Sequence, residues 1–163
     1  PYLIREENIA LFARQQVYSR EEIFSRYEVL LENYCKIISI EAHTMLDIAN
    51  KEILPAILRY ARQIAETAEA EKRFLPELAT PCEEKLLRHL NLLLTGVSDK
   101  IEALHESVLA LDATADPLSQ ARHCRDRIFL AMQELRCLVD EAEGVVDEKL
   151  WPFPGYGVLL TTK

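Results

Sequence analysis

Apolar residues recur along most of the chain at the spacing of an α-helical face. After Ser19 the positions Ile23, Tyr27, Leu30, Tyr34, Ile37, Ile38, Met45, Ile48 and Ala49 follow one another at steps of three and four or their sums, which stack side chains on one side of a helix. The pattern resumes through Ile53, Ile57, Tyr60, Ile64 and Ala68. Pro55 is the only obstacle: it lacks an amide hydrogen and crowds the carbonyl four residues earlier. No Gly, Asn or Ser cluster accompanies it, so the pattern predicts one long helix over 19–71, kinked at Pro55 rather than broken. About fifty residues at ~1.5 Å each would give a rod of roughly 75 Å.

Boundary signals divide the rest. Ser19-Arg20-Glu21-Glu22 reads as a capping box that starts the long helix, and the stretch before it, with Ile9, Leu11, Phe12 and Val17, reads as a short lead-in helix over 1–18. Periodicity lapses over 72–79, around Pro76, where a turn is expected. Thr80-Pro81-Cys82-Glu83 is a second box with Pro at the first helical position. Leu86, Leu90, Leu93, Val97, Ile101, Leu104, Val108 and Leu111 then form a narrow coiled-coil-like seam on a second helix over 80–111, which Gly96 weakens without ending. A turn is expected over 112–116. Asp116-Pro117 opens a third helix over 117–143, marked by Ala121, Cys124, Ile128, Leu135, Leu138 and Ala142 and closed near Gly144. Pro152 and Pro154 make 149–163 an extended aromatic tail carrying Trp151, Phe153 and Tyr156. The fold class is all-α: three long antiparallel helices and a short N-terminal one in a single helical domain over 1–163.

Composition agrees. The 163 residues are 49% apolar and 28% charged, with four Gly and a 7% aromatic share, a globular and helix-forming mixture. The net charge of −8 offers no basic field for nucleic acid. No apolar run reaches the ~20 residues that span a bilayer, and no secretory signal precedes the first helix. The expected setting is therefore soluble and cytoplasmic. Cys35, Cys82, Cys124 and Cys137 are widely spaced and form no Cys-x-x-Cys pair, so they read as buried free thiols. The opening at Pro1 without a capping signal suggests a piece of a longer chain.

No residue pattern commits to chemistry, and the expected catalytic, cofactor-binding and metal residues are none. The glycines Gly96, Gly144, Gly155 and Gly157 form no phosphate loop. Glu102 and His105 have the spacing of two metal ligands on one helix, but a di-metal bundle needs that motif twice with further inward Glu; the plain reading is an exposed pair flanking Leu104. His43 lies two residues from Glu41, on a different face, and has no nucleophile beside it. His123 and Cys124 are adjacent, so their side chains diverge by about 100° on a helix. Tyr27, Tyr34 and Tyr60 read as core residues with hydroxyls at the edge. The charge runs over 66–73 and 140–148 read as solvated faces or helix ends.

Ser25-Arg26-Tyr27-Glu28, Tyr34-Cys35-Lys36, Ile40-Glu41-Ala42, Ile53-Leu54-Pro55-Ala56 and Arg59-Tyr60, followed by Leu150-Trp151-Pro152-Phe153-Pro154 and Tyr156, together resemble the C-terminal region of type III glutamine synthetases. The likeness spans nearly the whole chain, loosely over 66–118, and the tail departs from the family pattern at Gly155 and Gly157. The resemblance implies a parent enzyme that joins ammonia to glutamate with ATP and Mg, assembled as two stacked hexameric rings. Its catalytic residues belong to a β-rich region upstream, so none transfers to a position here. The implied partners are the rest of the parent and neighbouring subunits, with no nucleic acid and no membrane, and self-association is expected of the isolated piece. The expected role is a non-catalytic accessory domain serving packing, assembly or regulation. The alternative is a free-standing helical interaction or sensor module, and a di-metal bundle enzyme ranks last.

Overall fold

A computed structural model describes residues 2–112 and 116–161 of the chain, and among them it is wholly helical, with no strand. The helices are α1 (Glu6–Arg14), α2 (Arg20–Ile48), α3 (Leu54–Phe74), α4 (Pro81–Asp112), α5 (Pro117–His123), α6 (Phe129–Glu143) and α7 (Tyr156–Thr161). Single π-helical turns, Ala49–Ile53 and Cys124–Ile128, join α2 to α3 and α5 to α6. The expected lead-in helix and three long helices are therefore present. The turn expected over 112–116 falls mostly outside the described residues.

The capping signals act locally. Ser19 Oγ accepts from the Glu22 amide at 3.2 Å and the Glu22 carboxylate accepts from the Ser19 amide at 2.7 Å, which closes the box at the start of α2. Asp116 accepts from the Ser119 amide at 2.8 Å and opens α5. At α4 the helix does begin at Pro81, but the buried Thr80 hydroxyl turns to Glu84, 3.4 Å away, one residue beyond the partner a capping box would use. Lys72 meets the same carboxylate at 3.3 Å, so one Glu ties the end of α3 to the start of α4.

The chain stays helical on both sides of Pro55, and the accommodation lies just before it. In the first π-turn the Leu54 amide donates to the Ala49 carbonyl, five residues back, so an extra residue is inserted where the ring would otherwise crowd the preceding turn. The second π-turn repeats this bond, from the Phe129 amide to the Cys124 carbonyl, without any proline. Each insertion rotates the following face relative to the preceding one.

The core lies between the rod and the two later helices. α4 packs on α3 and on α6, and α2 lies against α5 and the second π-turn. Leu90, Leu93, Val97, Ile101, Leu104, Val108 and Leu111 are all buried, as the α4 seam predicts, and they meet Ile53 and Ile57 from the rod and Cys124, Ile128 and Leu135 from the third helix. Burying such a side chain contributes about 1.5–3 kcal/mol.

The inward face of α2 keeps only part of the stripe expected from periodicity: Ile23, Ile38 and Ala49 are buried and Tyr27, Met45 and Ile48 half-buried. Leu30, Tyr34 and Ile37 are exposed, and the residues that enter the core are Cys35, Ile38, Ala42, Leu46 and Ala49. Small Cys and Ala let the rod approach α5 and the second π-turn closely, whereas the bulky residues one position away are left outside. The first turns of α2 stand beyond the main core; there Ile23 is buried with Ile9 of α1, and Arg20 pairs with Glu6.

The tail also differs from the expectation. Trp151 is buried against the bundle, and residues 151–155 are non-helical as Pro152 and Pro154 require, but Tyr156–Thr161 forms the short helix α7 where an extended strip was expected. No proline lies beyond Pro154 to oppose it. The Gly155 carbonyl accepts from the amides of Val158 and Leu159 and starts that turn. The Tyr156 side chain lies outside the described residues.

Candidate functional site

Two apolar surfaces face outward. The first is the outer face of α2, where Val29, Leu30, Ile37 and Ile40 are 50–67% exposed. Tyr27, Leu30, Tyr34 and Ile37 repeat at three-four spacing, the arrangement that seats a partner helix. An α-helix that is apolar on two opposite sides is suited to being covered on both. Tyr34 lies at the junction of this face with the second π-turn; burial raises its hydroxyl above the usual tyrosine range, and the neighbouring Cys124 thiol adds to the effect.

The second surface is a groove of about 440 Å³ beside the first π-turn, bounded by α2, α6 and the tail. Ile40, Met45, Ile48, Met132, Val139 and Phe153 form its walls, with Glu41, Thr44 and Arg136 as polar groups on them. Ile40 belongs to both surfaces. Both methionines of the chain line this one groove, and their unbranched thioether side chains can repack around an incoming group. Periodicity alone could not reveal it, since Met45, Met132 and Phe153 come together only through the tertiary fold.

The residues weighed for chemistry do not converge. His43 Nδ1 donates to the Ser39 carbonyl of its own helix at 2.7 Å. His123 Nε2 donates to the Ser107 carbonyl at 2.7 Å and so links α5 to α4. Cys124 points the other way, into the core beside Cys35; burial pushes its thiol up to about 12, helped by a hydrogen bond with Cys35. Glu102 and His105 are exposed on either side of buried Leu104. Tyr27 and Tyr60 are half-buried, and the Tyr27 hydroxyl has no partner among the described residues. The run over 66–73 is a solvated face with pairs Arg62–Glu66 and Arg73–Glu69, and in the run over 140–148 Asp140 pairs with Arg136 while Glu141 lies 3.6 Å from His89 of α4. Of the cysteines expected to be buried, Cys35 and Cys124 are, whereas Cys82 and Cys137 are exposed, because each lies on the outward side of its helix. Among the described residues no three His, Cys, Asp or Glu side chains gather as a metal site, and no helix is long and apolar enough to cross a membrane.

Comparison with known proteins assigns the helical scaffold. The family described as "Glutamine synthetase C-terminal domain" matches residues 1–72, the segment that holds α1, α2, the first π-turn and nearly all of α3. Over those residues the chain matches the glutamine synthetase C-terminal domain family. It is 32% identical over 160 residues to "Glutamine synthetase" of Butyrivibrio fibrisolvens, covering 98% of this chain and 23% of that protein. It is 31% identical over 159 residues to "Type-3 glutamine synthetase" of Dictyostelium discoideum, covering 95% and 22%. A "Glutamine synthetase" of Bacteroides fragilis (strain YCH46) is 21% identical over 158 residues, with 94% and 22% covered. The resemblance read from the Tyr27, Pro55 and Trp151 motifs is therefore borne out. The chain spans less than a quarter of the length of the curated relatives it matches.

Proposed function

We propose that this glutamine synthetase C-terminal domain is the non-catalytic helical part through which a glutamate–ammonia ligase packs and assembles, and that the outer face of α2 is where it attaches to the rest of that enzyme. The observation that carries this is the second apolar stripe of α2. Val29, Leu30, Ile37 and Ile40 contribute little to this bundle, yet they lie on the segment the family match covers. The relatives have more than three quarters of their length outside the matched region, which supplies a covering surface within the same polypeptide. In this reading ATP, Mg and glutamate are handled by that other region, and the domain acts on the parent by fixing its quaternary arrangement.

The test uses the full-length enzyme carrying this segment. Leu30→Asp with Ile37→Asp is expected to reduce its assembled mass by light scattering and its glutamine-forming activity, while leaving the melting temperature of the 163-residue chain within a few degrees, because both sites are solvent-exposed there. Unchanged mass and activity in the full-length enzyme would rule the proposal out.

A further inference from the structure

The groove and the end of the chain are each apolar and adjoin one another. Trp151 fixes the tail on the bundle, Phe153 forms part of the groove wall, and two residues later Gly155 opens α7. Residues 150–162 carry no charged side chain, in a chain that is 28% charged, and on α7 Leu159 and Leu160 are 58% and 83% exposed. An uncharged leucine pair suits walls made of Ile48, Met132 and Val139, whereas the charged faces of the other helices would strand ions there.

We propose that α7 is a strap for this groove: turning about Pro154 and Gly155, it lays Leu159 and Leu160 between α2 and α6 and closes the apolar opening over the first π-turn. Reach permits it. Two extended residues followed by a short helix carry Leu160 about 14 Å from Phe153, and Phe153 is already at the wall. Tethering makes the chain's own α7 the favoured occupant, since a short linker holds it at an effective concentration in the millimolar range, above that of a second copy in ordinary solution. The two methionines can adjust to the leucines without a change in backbone. The strap meets the outer face of α2 only at Ile40, which the two surfaces share, and involves neither Leu30 nor Ile37, so its test is separate from that of the assembly reading.

The methionines also provide the readout. Methyl-labelled Met45 and Met132 give two resonances, to be compared between the 163-residue chain, a version ending after Gly155, and Leu159→Asp with Leu160→Asp. Both altered chains are expected to move both methyl resonances in the same direction, and the difference from the unaltered chain should persist through an about hundredfold dilution. Superimposable spectra would overturn the strap. A difference that vanishes on dilution would overturn it too, by making a second copy the occupant. Trp151 emission reports whether the shortened chain keeps its fold; if it does not, the two Asp substitutions, at exposed positions, decide alone.

Discussion

Gly96 and Leu138 meet where α4 packs on α6: a Cβ on Gly96 would stand 3.1 Å from Leu138 Cδ1. A glycine in mid-helix costs about 1 kcal/mol relative to alanine, and here the missing side chain makes room for the leucine. Gly96→Ala should therefore come out within about 1 kcal/mol of neutral, because Leu138 can yield a few tenths of an ångström at its flexible end while the helix gains propensity. Gly96→Leu cannot be absorbed that way and should lose about 1–3 kcal/mol by overpacking. Urea unfolding of the two variants checks the contrast, and equal losses would show that the close approach does not matter.

The thiols should divide into two pairs. Cys82 and Cys137 are exposed, Cys35 and Cys124 are buried, and the Cys124 thiol is pushed up to about 12, so it holds almost no thiolate near neutrality. A thiol reagent at pH 8 should modify two groups quickly in the folded chain and the other two only as fast as the bundle opens. After denaturation all four should react without prior reduction. Four fast groups in the folded state would mean that the α2 contact with the second π-turn is open.

Acid should loosen the start of α5 before it unfolds the bundle. The Ser119 side chain and amide hydrogen-bond the Asp116 carboxylate and hold it below the usual carboxylate range. A group whose folded value is depressed gives stability that is present above its unfolded value, about 3.9, and lost as pH falls through the folded value. The cap is thus complete at neutral pH and disappears below about pH 4. Asp116→Asn keeps a neutral acceptor for the amide and should flatten that part of the pH–stability curve. A curve of unchanged slope below pH 4 would show that the cap has no such role.

These outcomes bear on what could be read in the chain beforehand. The α4 seam was legible because Leu90, Val97, Leu104 and Leu111 all turn inward, so periodicity and burial coincide. On α2 they part. Two apolar stripes run on opposite sides, and hydrophobicity favours the bulkier one, Leu30, Tyr34 and Ile37, although the inner face sets Cys35, Ala42 and Ala49 beside Ile38 and Leu46. Small residues mark close helix approach, a signal that counting apolar positions discards. The first π-turn had a visible sign in Pro55, but nothing around Cys124–Ile128 announces the second. The groove is assembled from α2, the first π-turn, α6 and the tail, so no local pattern could contain it. The family motifs were legible because they rest on residue identity rather than on which way a side chain points.

Trp151 should be the anchor of the tail. It is 9% exposed, and the Trp151 amide donates to the Asp147 carbonyl at 3.1 Å, which docks the ring close behind the end of α6. Losing so large a buried side chain costs about 3–5 kcal/mol, so Trp151→Ala, or truncation after Glu148, should lower the melting temperature clearly. The indole nitrogen, however, is buried with no acceptor among the described residues, and an unmet donor weakens the native state by about 1–3 kcal/mol. Trp151→Phe removes that donor while keeping an aromatic ring in the site, so its net loss should not exceed about 2 kcal/mol. The comparison separates ring burial from hydrogen bonding. Equal losses for Ala and Phe would mean that the indole finds a partner the described residues do not supply, such as a water. A melting temperature unchanged by truncation, with Trp151 emission in the intact chain like that of the free amino acid, would show that the tail is undocked.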